Sequence, residues 1–131
     1  LMTSSLLSQK NNCTIIHVGG TMDNSSKTVF DSTSEKFIQN YTSDIAFICS
    51  RAIDVNRGTF ESSVTYSNEK NALSNIALKT IVIVDHTKFN HTSLYLGLRI
   101  DKIDILITDD KAPSHAVRTL QSQGINVIIA K

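Results

Sequence analysis

Short apolar runs recur along this chain of 131 residues, and their pattern predicts its architecture. The runs are mostly continuous rather than alternating, which is typical of strands that are covered on both faces of a parallel sheet. They read TIIHV (14–18), DIAFIC (44–49), TIVIV (80–84), DILIT (104–108) and NVIIA (126–130). Helical patterns fill most of the gaps between them. The alternation predicts an α/β fold, with a layered and mostly parallel sheet flanked by helices.

Local signals predict three helices between these strands. A capping box from Ser32 to Glu35 marks the start of the first helix. The apolar stripe of residues 72–77 belongs to a longer second helix that leads into the third strand. A third helix should begin at Pro113 and stop before Gly124, because proline suits a first helical turn and glycine a C-terminal stop.

Turn signals and the start of the chain complete the outline. Residues 19–20 predict a backbone bend, and residues 56–58 predict a tight turn. Residues 1–3 resemble the tail of a strand that opens with almost nothing before it. We therefore expect a complete domain to hold at least one more strand and helix upstream.

Composition excludes several classes of protein. The net charge of +1 offers no electrostatic footprint for nucleic acid within this chain. No apolar run approaches the roughly 20 residues of a membrane span, and the first residues lack the features of a signal peptide. Cys13 and Cys49 show no metal or redox spacing, so we expect two buried thiols in a reducing cytoplasm.

Candidate chemistry gathers where the predicted strands end. Glycines, hydroxyls and two cations follow the strands, and in open α/β sheets ligands bind outside the carboxyl ends of the strands. The residues concerned are Ser4, Ser5, Gly20, Thr21, Ser50, Arg51, Asp85 and Lys88. This set suits a small anionic polyol such as a phosphorylated sugar. Polar residues also end strands that bind nothing, so ordinary solvent-exposed loops remain the alternative.

Other chemistries lack their motifs. The four histidines show no metal-ligand spacing, and His17 lies in an apolar run, where we expect a core histidine. There is no Gly-x-Ser-x-Gly elbow and no glycine-rich nucleotide loop. Asp109, Asp110 and Lys88 occur in the reverse of the order that a phosphoacceptor receiver domain requires. We therefore expect neither a metal nor a cofactor.

Several of these residues occur in the order and spacing of a known family. The matching elements are residues 19–22, 53–58, Lys70, 85–89 and 107–109. The most specific are the Asp-x-Ser/Thr-Lys-Phe element at 85–89 and the Ile-Thr-Asp element at 107–109. Over nearly its whole length, the chain resembles the C-terminal effector-sensing domain of DeoR-type bacterial transcriptional repressors.

The resemblance implies a fold, a role and partners. The fold would be that of ribose-5-phosphate isomerase and the CoA-transferase-like proteins. The role would be to bind a phosphorylated sugar or related metabolite and thereby alter operator binding by an N-terminal winged helix-turn-helix domain. That domain, the first strand and its phosphate loop would all be missing from residues 1–131. The resemblance also implies a homo-oligomer without membrane contact, which touches DNA only through the missing domain.

The resemblance also suggests what single residues do. Lys88 matches a lysine that reaches the substrate in the isomerases, and Asp85 would brace its loop. Ser4 and Ser5 match an element near the phosphate. Lys70 matches a lysine that the family usually carries on the long helix.

Departures from the family pattern argue against catalysis. Arg51 stands where the family generally has an acid, and Thr65 and Tyr66 stand where it has glutamates. Aldose–ketose isomerisation needs a carboxylate base, and a guanidinium or hydroxyl is too weakly basic at neutral pH. We therefore expect a non-catalytic ligand sensor. A sugar-phosphate isomerase fragment and a purely structural oligomerisation domain remain alternatives, and the effector and the operator stay open.

Overall fold

The computed structural model describes residues 2–25 and 27–130 and has the predicted α/β class. Its central layer is a four-stranded parallel sheet in the order β3-β6-β8-β9. These strands are β3 (Ser43–Cys49), β6 (Ala77–Ile83), β8 (Ile105–Asp109) and β9 (Asn126–Ala130). The strands predicted at 44–49, 80–84, 104–108 and 126–130 are therefore confirmed, with small shifts at their ends.

A second, antiparallel sheet packs beside the first and was not predicted. It contains β4 (Ala52–Asp54), β5 (Gly58–Glu61) and β7 (Tyr95–Arg99), in the order β4-β5-β7. The predicted tight turn is confirmed as the connection between β4 and β5. Gly58 has a φ of +118°, and a side chain there would collide with the backbone of β7. Glycine is therefore required at this position, where β5 pairs with β7.

Four helices and a small hairpin surround the sheets. The helices are α1 (Met2–Leu7), α2 (Ser32–Ile38), α3 (Val64–Ile76) and α4 (Ser114–Ser122). The hairpin pairs β1 (Met22–Asp23) with β2 (Thr28–Val29). The three predicted helices are confirmed as α2, α3 and α4. No helix in the described part of the chain is long and apolar enough to cross a membrane.

The N-cap of α2 differs from the prediction. Asp31, not Ser32, precedes the helix and accepts bonds from the backbone N–H groups of Thr33 and Ser34. The hydroxyl of Ser34 completes the capping box, a part that the sequence analysis gave to Glu35. The carboxylate at Asp31 is the stronger cap because it can accept several orphan N–H groups at once.

One face of the parallel sheet forms the main core. Ile48, Val82 and Leu106 are at most 1% exposed and pack in the same cluster as Ala116 and Leu120 of α4. Each of the larger side chains contributes about 1.5–3 kcal/mol when it is fully buried. This core fixes the register of the sheet, and with it the place where each strand ends.

The N-terminal strand predictions are wrong. Residues 14–18 form no strand in the structure, and Ile16 is 59% exposed. A strand is stable only when a neighbour supplies its ladder, and none of the described strands pairs with this run. His17 is exposed as a consequence, so the core histidine prediction is also wrong. Thr3 belongs to α1 rather than to a strand tail, while Leu1 lies outside the described residues.

Both cysteine predictions are wrong as well. Cys13 and Cys49 are exposed. Cys13 lies in the unpaired N-terminal segment. Cys49 does lie in a strand, but its side chain points to the face of the parallel sheet opposite the core.

Candidate functional site

The carboxyl ends of β3 and β6 bring four of the predicted site residues to one edge of the sheet. Cys49 pairs with Ile83, so Ser50 and Asp85 follow two strands that end side by side. Farther out, Ile53 and Phe89 form a parallel bridge, which holds the two chain segments about 5 Å apart. We call Ser50, Arg51, Asp85 and Lys88 the strand-end group.

The hydroxyl of Ser50 anchors the first segment to the antiparallel sheet. Its Oγ donates to Oε1 of Glu61 at 2.6 Å. Glu61 is only 5% exposed, and a buried carboxylate without a donor is costly. Ser50 therefore stabilises the junction of the two sheets in addition to facing the edge.

Asp85 shapes the turn that carries Lys88. Its carboxylate accepts bonds from the backbone N–H and the hydroxyl of Thr87, and it caps the short 3-10 helix His86–Lys88. The hydroxyl bond is the main cause that lowers the pKa of Asp85 below its usual value. The carboxylate therefore stays charged and holds the turn in place at neutral pH.

Within residues 2–25 and 27–130, neither Arg51 nor Lys88 of the strand-end group lies within 4.0 Å of a carboxylate oxygen. The charge of Lys88 is nevertheless one of the smaller causes that lower the pKa of Asp85. Arg51 is exposed in a bend, and Lys88 is half-buried at the end of its turn. Two cations on neighbouring segments can attract an anion such as a phosphate.

A histidine–aspartate pair joins the ends of β6 and β8. Nδ1 of His86 lies 2.8 Å from Oδ2 of Asp109, whose carboxylate also accepts the backbone N–H of His86. This pair lowers the pKa of Asp109, chiefly through the side-chain bond. Asp85, His86 and Asp109 each offer one metal-ligand atom, and the three atoms lie within 4.8 Å of one another. These residues could therefore hold a cation. This grouping has no signature in the sequence, because Asp109 lies far along the chain from Asp85 and His86.

Gly20 and Thr21 lie in a separate loop that is anchored by Asp31. The backbone N–H and the hydroxyl of Thr21 both donate to Oδ2 of Asp31, at 2.9 and 3.1 Å. Gly20 has a φ of +145° and closely approaches Ser34, so a larger residue would not fit. Backbone bonds from Ser34, Thr21 and Thr33 lower the pKa of Asp31 to about 2.

The contacts described for the remaining predicted site residues are local. Ser4 and Ser5 lie in α1, and their carbonyl groups accept bonds from Ser8. Lys70 lies about 9 Å along α3 from its first residue and pairs with its neighbour Glu69 at 3.6 Å. The contacts described for these three residues do not connect them with the strand-end group.

A cavity of about 430 Å³ opens between the β1–β2 hairpin and the start of α3. Five residues with hydroxyl groups line it, together with the carboxylate of Asp23 and the ring of Phe30. The lining residues are Asp23, Ser25, Thr28, Phe30, Ser63, Thr65 and Tyr66. We call this the hairpin cavity. The hydroxyl of Tyr66 donates to Oδ2 of Asp23 at 2.6 Å, which ties the hairpin to the helix.

This cavity was not predicted as a site. Its one signal in the sequence was the departure of Thr65 and Tyr66 from the family pattern. Ser63, the N-cap of α3, lies two residues after Glu61, the partner of Ser50. Glu61 therefore links the two groups along the chain, through its bond to Ser50 and its position two residues before the cavity residue Ser63. Together they offer hydroxyls for a polyol and cations for an anion.

Comparison with known proteins gives a family and several relatives. Residues 1–110 match the family described as the DeoR C terminal sensor domain. The uncharacterized HTH-type transcriptional regulator YgbI of Escherichia coli K12 is 28% identical over 125 residues, which cover 95% of this chain and 49% of that protein. The HTH-type transcriptional regulator GolR of Listeria innocua is 26% identical over 131 residues, which cover 100% of this chain and 52% of that protein. The transcriptional repressor AccR of Agrobacterium fabrum is 29% identical over 96 residues, covering 72% of this chain and 37% of that protein.

The chain spans about half the length of the curated relatives that it matches. Each match is to a transcriptional regulator, and two of the three names specify the HTH type.

Proposed function

The chain belongs to the DeoR C terminal sensor domain family, and from this premise we propose that it binds a phosphorylated sugar or a related metabolite on behalf of a longer transcriptional repressor. Membership of this family supports a role for the chain as the sensor domain of a transcriptional regulator. The identity of the ligand is our own inference from the side chains at the strand ends and in the hairpin cavity.

The observation that carries the proposal is the pair of cations at the sheet edge, neither of which forms an ion pair within 4.0 Å among the described residues. Lys88 and Arg51 lie on segments that the Ile53–Phe89 bridge holds side by side. Each charge-assisted bond to a phosphate would contribute about 1.5–3 kcal/mol. After the cost of ordering the ligand, a few such bonds give an affinity in the micromolar to millimolar range.

The hairpin cavity supplies the complementary half of the ligand site. Its hydroxyls can donate to and accept from the hydroxyls of a sugar, and Phe30 offers an apolar surface. Asp23 is the one carboxylate among the residues that line this cavity, so a phosphate is better placed toward Lys88 than inside it. We therefore orient the ligand with its phosphate at the strand-end group and its hydroxyls in the cavity.

Sensing requires that the ligand change the affinity for DNA. We propose that a helix-turn-helix domain precedes this chain in the full-length protein, as the names of two relatives suggest. A ligand that binds one arrangement of the homo-oligomer more tightly shifts the equilibrium by that difference in affinity and no more. Because such a regulator acts on the chromosome, we place it in the cytoplasm and give it no membrane contact.

We propose that the domain performs no catalysis. The acid that the family generally carries is replaced by Arg51, and Thr65 and Tyr66 provide hydroxyls rather than carboxylates. Asp23 is the one candidate base among the cavity residues, and it already accepts a bond from Tyr66. An isomerase would convert aldose phosphates to ketose phosphates in a direct assay, whereas we expect binding without turnover.

The test is a binding series with a panel of pentose and hexose phosphates, each compared with its unphosphorylated sugar. We expect saturable binding of at least one phosphate and much weaker binding of its parent sugar. Lys88→Ala should weaken binding by about 10- to 100-fold, since one charge-assisted bond is lost. Lys102→Ala is the matched control, because that exposed lysine precedes β8 at the opposite edge of the sheet.

The same ligand should change operator binding by the full-length protein, and Lys88→Ala should abolish that response while the fold stays intact. No saturable binding by any member of the panel would contradict the ligand class. Ketose formation would contradict the absence of catalysis and favour the isomerase alternative.

A further inference from the structure

Three side chains that can bind a metal ion meet where β6 and β8 end side by side. Ile83 pairs with Ile107, so the residues that follow the two strands are brought together. Asp85 and His86 come just after β6, and Asp109 is the last residue of β8. One ligand atom from each residue lies within 4.8 Å of the other two, and the described part of the chain holds no second group of this kind.

The separation of these atoms suits a shared ion. Nδ1 of His86 lies 2.8 Å from Oδ2 of Asp109. Two adjacent ligands of one ion, each bound at about 2.0–2.2 Å, are about 3 Å apart. The histidine and the aspartate are therefore already at the separation of neighbouring ligands. The exposed carboxylate of Asp85 needs to move by at most about 2 Å to complete a set of three.

Backbone N–H groups orient both carboxylates. The N–H of Thr87 donates to Oδ1 of Asp85. The N–H of Lys111 donates to Oδ1 of Asp109, while Oδ2 of the same carboxylate accepts the N–H of His86 and faces its ring. Outer bonds of this kind hold metal ligands in position and raise the affinity, because less freedom is lost when the ion binds.

The charges around the proposed phosphate position also favour a cation. Asp85 and Asp109 are ionised at neutral pH. Their negative charges balance the positive charges of Arg51 and Lys88. A phosphate dianion placed among these side chains would therefore leave an excess of negative charge. A divalent cation would restore neutrality, and it would attract the phosphate and both carboxylates at once.

We propose that Asp85, His86 and Asp109 bind a divalent transition-metal ion, and that this ion bridges the protein and the phosphate of the ligand. One imidazole with two carboxylates suits Mn²⁺ or Zn²⁺, whereas Mg²⁺ and Ca²⁺ prefer oxygen ligands alone. Phosphate oxygens and water complete the coordination. The bridging role rests on the proposed function, whereas binding of the ion by the three residues does not.

The alternative is a histidine–aspartate pair that only joins the two strand ends. In that arrangement, Nδ1 of His86 donates to Asp109, and the pair contributes to the fold without binding an ion. The two arrangements differ in one measurable property, because only the proposed site binds a metal ion in a saturable way that depends on the imidazole.

A titration of the purified full-length protein with Mn²⁺ tests the site. The protein is first treated with a chelator, and the electron paramagnetic resonance signal of free Mn²⁺ reports the unbound ion. We expect saturable binding, with the affinity at least about tenfold lower in His86→Ala and in Asp109→Asn, because each variant loses one ligand. His17→Ala is the matched control, since that exposed histidine lies in the N-terminal segment, and it should bind Mn²⁺ as the parent protein does.

His86→Ala is the more informative of the two variants. It removes a side chain that is 38% exposed, so we expect the fold to persist. Asp109 also accepts backbone bonds from His86 and Lys111, so its substitution can weaken the fold itself. Melting curves of both variants without metal distinguish loss of a ligand from loss of the fold.

The bridging role is tested by binding the panel of sugar phosphates with and without Mn²⁺. We expect the ion to tighten binding of the best phosphate by about 5- to 150-fold, the usual range of coupling between two ligands. The unphosphorylated sugar should show no gain. His86→Ala should remove the gain, because the ion that would bridge to the phosphate is lost.

The outcomes separate this proposal from the proposed function. No saturable Mn²⁺ binding, or binding that His86→Ala leaves unchanged, would overturn the metal site. Sugar phosphates that bind equally well with and without the ion would overturn the bridging role and leave the proposed function standing. Mn²⁺ binding that depends on His86, without binding of any sugar phosphate, would support the metal site and contradict the proposed ligand class.

Discussion

The strand-end group and the N-terminal candidates Ser4, Ser5, Gly20 and Thr21 were predicted by the same reasoning, yet the structure holds them in different ways. The strand-end group is positioned by two long-range backbone pairings, the ladder between β3 and β6 and the Ile53–Phe89 bridge. Ser4 and Ser5 lie in the short helix α1, and the loop of Gly20 and Thr21 is held at the start of α2 by the carboxylate of Asp31 and by the hydroxyl of Ser34, which donates to the carbonyl of Gly19. Residues that several strands position can form a rigid site, whereas the contacts described for these candidates come from one short helix in each case.

The largest expected difference between the two regions is in stability. Leu106→Ala should lower the free energy of unfolding by about 2–5 kcal/mol, because it leaves a cavity in the core that fixes the strand ends. Ile16→Ala should cost less than about 0.5 kcal/mol, because that side chain is 59% exposed. Urea denaturation of both variants measures the contrast. Similar losses would show that the N-terminal run is packed as tightly as the sheet.

A pair of serine substitutions sharpens the comparison at the candidate site itself. Ser50→Ala should lower the free energy of unfolding by about 1–3 kcal/mol, since it removes a donor from the buried carboxylate of Glu61. Ser5→Ala should stay within about 0.5 kcal/mol of the parent protein, because the Ser5 side chain is exposed. The same denaturation measurement checks both. A cost at Ser5 equal to that at Ser50 would remove the distinction between the two groups.

The strands of the parallel sheet were predictable because each is marked by a continuous apolar run in the sequence. Residues 80–84 and 104–108 are runs of β-branched and other apolar residues, and each became a central strand. The run 14–18 has the same composition but forms no strand, since pairing depends on a neighbour that the run does not specify. The pattern of β3 is apolar on both faces, which predicted burial of Cys49, yet the structure leaves Cys49 exposed.

The candidate site was predictable only in part for the same reason. The ends of consecutive parallel strands can be inferred from sequence, and Ser50, Asp85 and Lys88 follow from them. The hairpin cavity brings Asp23 and Tyr66 together across 43 positions, and that contact has no signature along the chain. The histidine–aspartate pair of His86 and Asp109 was missed in the same way.

The smallest expected effect is a pH dependence at Asp31, the carboxylate that caps α2 and bonds to Thr21 in the N-terminal loop. The folded pKa of Asp31 is lowered to about 2, so its contribution is present above the unfolded pKa and is lost as the pH falls through about 2. Other carboxylates act in the same direction, so the informative quantity is the difference from Asp31→Asn. That variant should lose less stability than the parent protein between about pH 4 and pH 2.

Asp44→Asn, an exposed carboxylate at the start of β3, is the matched control for this measurement and should follow the parent curve. Parallel curves for Asp31→Asn and the parent protein would show that Asp31 does not anchor the loop.

The most direct test of ligand sensing at the strand ends is a backbone amide chemical-shift titration with the phosphorylated sugar that binds best. We expect the largest shifts at residues 50–52 and 85–88, with smaller ones at Ser63, Thr65 and Tyr66 beside the hairpin cavity. Small or absent shifts are expected at Ser4 and Ser5. Shifts confined to α1, or spread over the sheet without a maximum at Lys88 and Ser50, would contradict the proposed site.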